Sequence, residues 1–306
     1  MAHGVVQVRW VSVIGAALLL WCSSAVAQER FDTPENAVEA LVTAAKDGSR
    51  EKLLEILGPD GEDIISSGDE VADRNARDSF IAGYDEKHGL EPDGDDKTIL
   101  VMGDENWPFP IPIVKKDGTW AFDSAAGLEE ILLRRIGRNE LAAIQSSLAY
   151  VAAQNDYAAL DVDGKNPPPY AQRIVSTPGE KDGLYWPAAE GEDQSPLGEL
   201  FAEATAEGYK PGEKPIPYHG YYYRVLTRQG AGAEGGAYDY VVDGRMIGGF
   251  GLLAYPAQYG NSGIMTFMVN QDGVVFQKDL GPKTEKLAGK IKAFAPESGW
   301  TKAETP

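Results

Sequence analysis

The chain has 306 residues, with 28 basic side chains against 47 acidic ones and a formal net charge of −19. A surface that negative repels phosphate backbones and anionic lipid heads, which argues against nucleic-acid binding and suits solubility and divalent cations. One cysteine and three histidines exclude a disulfide scaffold and any zinc site built on several histidines.

Residues 1–27 have the parts of a secretory signal peptide: Arg9, an apolar core from Trp10 to Trp21, and Ala25-Val26-Ala27 as an A-x-A cleavage site before Gln28. The apolar core falls short of the roughly 20 residues that span a bilayer as a helix. Lipidation at Cys22 fits poorly, because Leu20 and Trp21 stand where small residues are wanted. The expectation is an exported chain, periplasmic or secreted, with no transmembrane segment after cleavage. Cleavage takes Arg9 and the one cysteine, leaving 27 basic and 47 acidic residues, a net −20. The remaining length suggests two domains, placed at 28–127 and 128–306.

Helix signals come first. Thr33 is an N-cap, Pro34 suits the first turn, and Val38, Leu41, Val42 and Ala45 recur at helical spacing up to Asp47-Gly48. Ser49 caps a second helix, and a third covers Glu70 to Tyr84. "KTILVMG" reads as a strand, and "PFPIPIVKKDGTWAFD" as a hairpin turning at Asp117-Gly118. The longest helical stretch follows, capped by Ser124, with Leu141, Ile144, Leu148 and Val151 as its buried stripe and Gly137 as a break or kink. After an irregular acidic region, Ser195-Pro196 opens a helix to about Glu207. The last third reads as short antiparallel strands and a helix from Thr284 to Phe294, so the fold class is α+β.

Few motifs carry chemistry. Gly230, Gly232 and Gly235 match a dinucleotide fingerprint, but the next segment reads as a strand, so a hairpin loop is expected. His88 and His219 are the histidines beyond the leader. Neither accompanies a nucleophile motif, and His88 sits at a helix end where imidazole suits the dipole. The acids offer many carboxylate pairs, none singled out by spacing. In "DVDGKN", Asp161, Asp163 and Asn166 form a candidate calcium loop around Gly164, lacking the closing Glu of an EF-hand. In "YHGYYYRVLT", strand alternation puts Tyr221, Tyr223 and Val225 on one face, against the long helix, and Tyr222, Arg224 and Leu226 on the other. Trp186, Tyr218, His219, Tyr222 and Arg224 are the candidate ligand-binding residues, because aromatic and Arg side chains are enriched where partners dock.

Two partial resemblances accompany these elements. "IPIVKKDGTWAFD" resembles the lysine-rich hairpin of the NTF2-like (cystatin-like cone) superfamily, which implies a curved sheet with helices, and often a pocket, over 28–127. A long helix followed by strands ending "SGIMTFMVNQDGVVF" resembles the soluble heads of type II secretion pseudopilins, which commonly hold a calcium. The mid-chain position of the helix departs from that pattern.

Over essentially the whole chain after the leader, "GRNELAAIQSSLAYVAAQNDYA", "DGLYWPAAEGE", "YHGYYYRVLT" and "GGAYDYVVDGRMIGGFGLLAYPAQYGNSGIMTFMVNQDGVVFQKDLGP" resemble an exported bacterial family catalogued as domain of unknown function 2950. That resemblance implies no activity. The expected role is a non-catalytic binding or interaction protein of the cell envelope, with an envelope protein or small ligand as partner. The alternatives are a hydrolase-type enzyme using the cone pocket or acidic loops, and a calcium-stabilised pilin-like subunit.

Overall fold

The structure, a computed structural model, describes residues 28–188, 191–192, 194–210 and 215–305. The expected signal peptide lies outside the described residues. Helix α1 (Pro34–Asp47) starts where the Thr33 hydroxyl accepts from the Asn36 N–H, and it ends at Gly48 in the left-handed region. Ser49 caps α2 (Arg50–Leu57), and a 3-10 turn leads into the short α3 (Gly61–Ile65). Asp69 then caps α4 (Glu70–Glu86).

An antiparallel sheet follows, made of β1 (His88–Pro92), β2 (Lys97–Met102), β3 (Trp107–Pro108), β4 (Ile113–Lys116) and β5 (Thr119–Phe122). The β4–β5 turn is Asp117-Gly118 with both residues at positive φ, the two-residue hairpin the sequence predicts. Leu41 and Ile56 from the helices pack with Leu100, Ile113 and Phe122 from the sheet as the first core.

Helix α5 (Ser124–Ala159) is continuous over 36 residues, undivided at Gly137 and capped by Asp123 rather than Ser124. Of its expected buried stripe, Ile144 is buried and Leu148 and Val151 pack half-buried against the core, with Leu141 the exception. Leu141 is 51% exposed, while Asn139, Ala143, Ser147, Tyr150, Gln154 and Tyr157 are buried. Polar residues face inward because the loops and strands packed against the helix give them partners. The Gln154 amide donates to the Ala171 carbonyl and accepts from the Ala171 N–H, both at 2.8 Å.

Beyond α5, β6 (Arg173–Val175) runs parallel to β7 (Gly183–Tyr185). Helix α6 (Gly198–Ala206) begins three residues after Ser195. The remaining strands are β8 (Tyr221–Leu226), β9 (Arg228–Gln229), β10 (Tyr238–Asp239), β11 (Val241–Val242), β12 (Arg245–Met246), β13 (Gly251–Pro256), β14 (Met265–Asn270) and β15 (Phe276–Asp279). With β16 (Thr301–Lys302) they form a main antiparallel sheet, ordered β8-β13-β14-β15-β16, and two small pairs. The glycine-rich stretch at 230–235 is the loop of the β9–β10 hairpin, as expected.

One face of the main sheet, carrying Tyr221, Leu252, Phe267 and Val269, packs under α5. The other carries Leu226, Leu253 and Met268 against Phe294. The expected helix from Thr284 to Phe294 is only α7 (Thr284–Ala288). Gly289 follows it, and the Arg224 guanidinium takes the carbonyls of Ala288 and Ile291 at 2.5 and 2.6 Å. The fold is α+β, and no helix among the described residues is long and apolar enough to cross a membrane.

The two cores meet at a polar joint. Asp69, only 1% exposed, accepts from the Val71 and Ala72 N–H groups with Oδ1. Its Oδ2 accepts from the Tyr209 hydroxyl at 2.8 Å and the Gly220 N–H at 2.9 Å. Arg135 on α5 donates to the Asp63 and Ile64 carbonyls and to Asn261, while Glu140 accepts from the Ile264 and Met265 N–H groups. Asp69→Ala removes a helix cap and strands buried donors, and is expected to cost roughly 3 kcal/mol or more in denaturant unfolding. The exposed Asp78→Ala on α4 should stay within about 0.5 kcal/mol.

Candidate functional site

Tyr218-His219-Gly220-Tyr221 closes as a tight two-residue turn, with the Tyr218 and Tyr221 backbones bonded in both directions. His219 and Gly220 have φ of 49° and 75°, the left-handed pair such a turn requires. A side chain at Gly220 is excluded, since its Cβ would lie 2.5 Å from the Asn139 amide. The turn is thereby held against α5 and Asp69. It presents Tyr218 and His219 beside Tyr209, with the Tyr218 and Tyr209 ring centroids 5.0 Å apart. The His219 ring sits 3.1 Å from the Glu207 carboxylate.

This arrangement forms one side of a cavity of about 350 Å³. Leu200, Phe201 and Ala204 of α6 form another wall, Tyr223 and Leu252 of the sheet the floor, and Ser146 and Tyr150 of α5 the end. The lining is mainly apolar. The Tyr223 hydroxyl is shut off from solvent and has no hydrogen-bond partner among the described residues. Burial pushes the Tyr223 hydroxyl up, and Ser146, nearby but without hydrogen-bond geometry, opposes that only in part. Burial, with the Asp69 carboxylate second, likewise raises Tyr209. Tyr218 is pushed up to about 12 by burial, then by Glu207 and Glu203.

The residues expected to form one ligand patch are divided. Tyr218 lines the cavity, with His219 beside it. Trp186 is 5% exposed and packs edge-on against Tyr157 inside the core. Tyr222 and Arg224 lie on the opposite face of β8, where both meet Tyr255 and Arg224 also binds backbone carbonyls. Strand alternation forces that separation, because β8 is regular. In the expected calcium loop, the Asp163 carboxylate is engaged by Arg245, 2.7 Å from its Nε. Arg245 also binds the Lys165 and Pro167 carbonyls, so a guanidinium stands where a cation was expected. Asp161 is exposed at φ 47°, and no group of three His, Cys, Asp or Glu among the described residues is gathered for a metal. His88 donates to the Tyr84 carbonyl at the end of α4 and stacks on the Tyr84 ring.

Sequence reasoning missed Tyr209, Tyr223 as a site residue, and the apolar face of α6. Phe201 and Ala204, three positions apart, were the available signal for that face.

These features define an α+β protein with an apolar cavity between a helix and an antiparallel sheet. A family model described as Protein of unknown function (DUF2950) matches residues 28–303, and the chain belongs to that family. No curated protein and no solved structure matches it.

The raised tyrosines set an alkaline limit. The folded chain keeps protons that the unfolded chain releases above about pH 10, so their contribution to stability is complete below that pH. It is lost as pH rises through about 12, the value for Tyr157 and Tyr218. Tyrosinate absorbance should therefore show a late phase coinciding with loss of tertiary circular dichroism. A single early phase in a still-folded chain would contradict it.

Proposed function

We propose that this is an exported binding protein of the bacterial cell envelope, which takes a small, largely apolar ligand bearing one hydrogen-bond acceptor into the cavity between α6 and β8. The observation that carries this reading is the Tyr223 hydroxyl, a buried donor without a partner among the described residues on an otherwise apolar floor. A buried polar group left unsatisfied costs about 1–3 kcal/mol, and a ligand carbonyl or ether oxygen would remove that cost. The volume lies within the range of small-molecule sites. Binding rather than turnover fits the lining, whose polar side chains are Tyr and Ser/Thr hydroxyls with one lysine, Lys210. The separate cores on either side of the Asp69 joint support reading the chain as two units, with α5 running through the expected 127/128 boundary and Ile131 still packed on the first core.

The neutral dye N-phenyl-1-naphthylamine tests the cavity. It should fluoresce on binding the native chain, and Ala204→Trp, which fills the space, should abolish the signal with the melting temperature little changed. Tyr223→Phe should leave the dye bound but weaken a ketone-bearing competitor by up to about tenfold, the worth of one neutral hydrogen bond. Dye binding that survives Ala204→Trp would sink the proposal. For export, N-terminal sequencing of the chain recovered from outside the cytoplasm should begin at Gln28. A start at Met1 would overturn that part.

A further inference from the structure

A second cavity, of about 770 Å³, opens between α4 and α5, and its charge is opposite in sign to the chain's. Leu41, Leu53, Phe80, Phe109 and Ile131 contribute apolar surface to it. Six arginines, at 50, 74, 77, 134, 135 and 138, line it against only two carboxylates, Glu70 and Asp73.

Folding accounts for some of these arginines. Arg50 pairs with Glu62, Arg134 with Glu130, and Arg135 is used by the Asp63 and Ile64 carbonyls. Arg77 meets Asp78 at 3.7 Å. Arg74 on α4 and Arg138 on α5 have no hydrogen-bond or ion-pair partner among the described residues, although the chain has 47 acids to offer. Asp73 gives little compensation. Its carboxylate is taken by the Ser67 N–H and hydroxyl, and burial raises its pKa. Arg134 and Arg138 are like charges at i and i+4, and Glu130 compensates only the first of them.

We infer that this cleft binds a monomeric, single-tailed amphipathic anion of the fatty-carboxylate class, its chain on the apolar surface and its head held by Arg74 and Arg138. A guanidinium presents a planar fork of donors that matches a carboxylate in bidentate fashion, and both side chains are exposed and free to meet a head group. The apolar component distinguishes the cleft from a simple polyanion site, where stacked or extended basic surface would suffice.

The test uses the full chain after leader removal, titrated below micelle concentration with dodecanoate, dodecanol and dodecyltrimethylammonium by calorimetry. Dodecanoate should bind one to one, with dodecanol at least tenfold weaker and the cation weaker still. Arg74→Gln with Arg138→Gln should lower dodecanoate affinity at least tenfold without lowering the melting temperature, since neither side chain holds the fold together. Arg74→Lys with Arg138→Lys should restore part of it through charge. Equal affinity for dodecanol, or dodecanoate binding untouched by the double Gln variant, overturns the inference. So does dodecanoate binding that is lost in Ala204→Trp, which would place the chain in the other cavity. Binding to phosphatidylglycerol vesicles but not to free dodecanoate would also overturn it, in favour of a membrane surface.

Discussion

Burial of a carboxylate without compensation is among the costliest acts in folding, and Asp69 is tolerated because four donors converge on it. Two come from the first turn of α4, where the helix dipole favours a negative charge. The other two, the Tyr209 hydroxyl and the Gly220 N–H, come from a part of the chain about 140 to 151 residues distant. The α4 wall of the arginine-lined cleft and the Tyr209–Tyr218 wall of the apolar cavity therefore hang on the same atoms. Displacing either wall exposes a charge that the other had helped to neutralise. Both cavities share the same rigid origin.

Net charge and local charge diverge in this molecule. An average over the surface gives a strongly acidic protein, and at distances beyond a Debye length that average governs what is repelled. Inside a cleft the field is set by the few side chains that line it. Arginines at 74, 77, 134 and 138 are close in sequence within two short stretches, "ADRNAR" and "LRRIGR", and become a single lining only where α4 and α5 face the same cleft. The far field would keep polyanions and anionic membranes away while a small anion still reached the cleft.

Local signals were the legible part of this sequence. Thr33, Ser49, Asp117-Gly118 and the alternation of the three consecutive tyrosines are settled within a few residues, by capping geometry, turn dihedrals and pleat. What escaped was decided by partners far along the chain. Leu141 looked like core because it is apolar, yet α5 turns Asn139 and Gln154 inward, because Ser262 and Ala171 supply hydrogen bonds that the sequence cannot announce. Asp163 looked like a cation ligand, and it is one, with the cation supplied by Arg245, 82 residues away. Helical spacing at Thr284 to Phe294 was overridden by Gly289 and by Arg224 claiming the carbonyls there. The aromatic candidates were near one another in sequence, but a regular strand sent Tyr222 and Tyr223 to opposite faces of the sheet.

The polar inner face of α5 has a consequence for how the halves are aligned. An oily stripe allows a helix to roll a few degrees or slide along its groove at little cost, since many nearly equivalent packings exist. Amide and carboxylate pairs do not: Asn139 to Ser262, Glu140 to two successive N–H groups and Gln154 to both sides of Ala171 are satisfied together at one azimuth only. The helix acts as a keyed shaft. Because Arg138 and Ser146 project from that shaft into different cavities, their angular phase is fixed by the teeth between them.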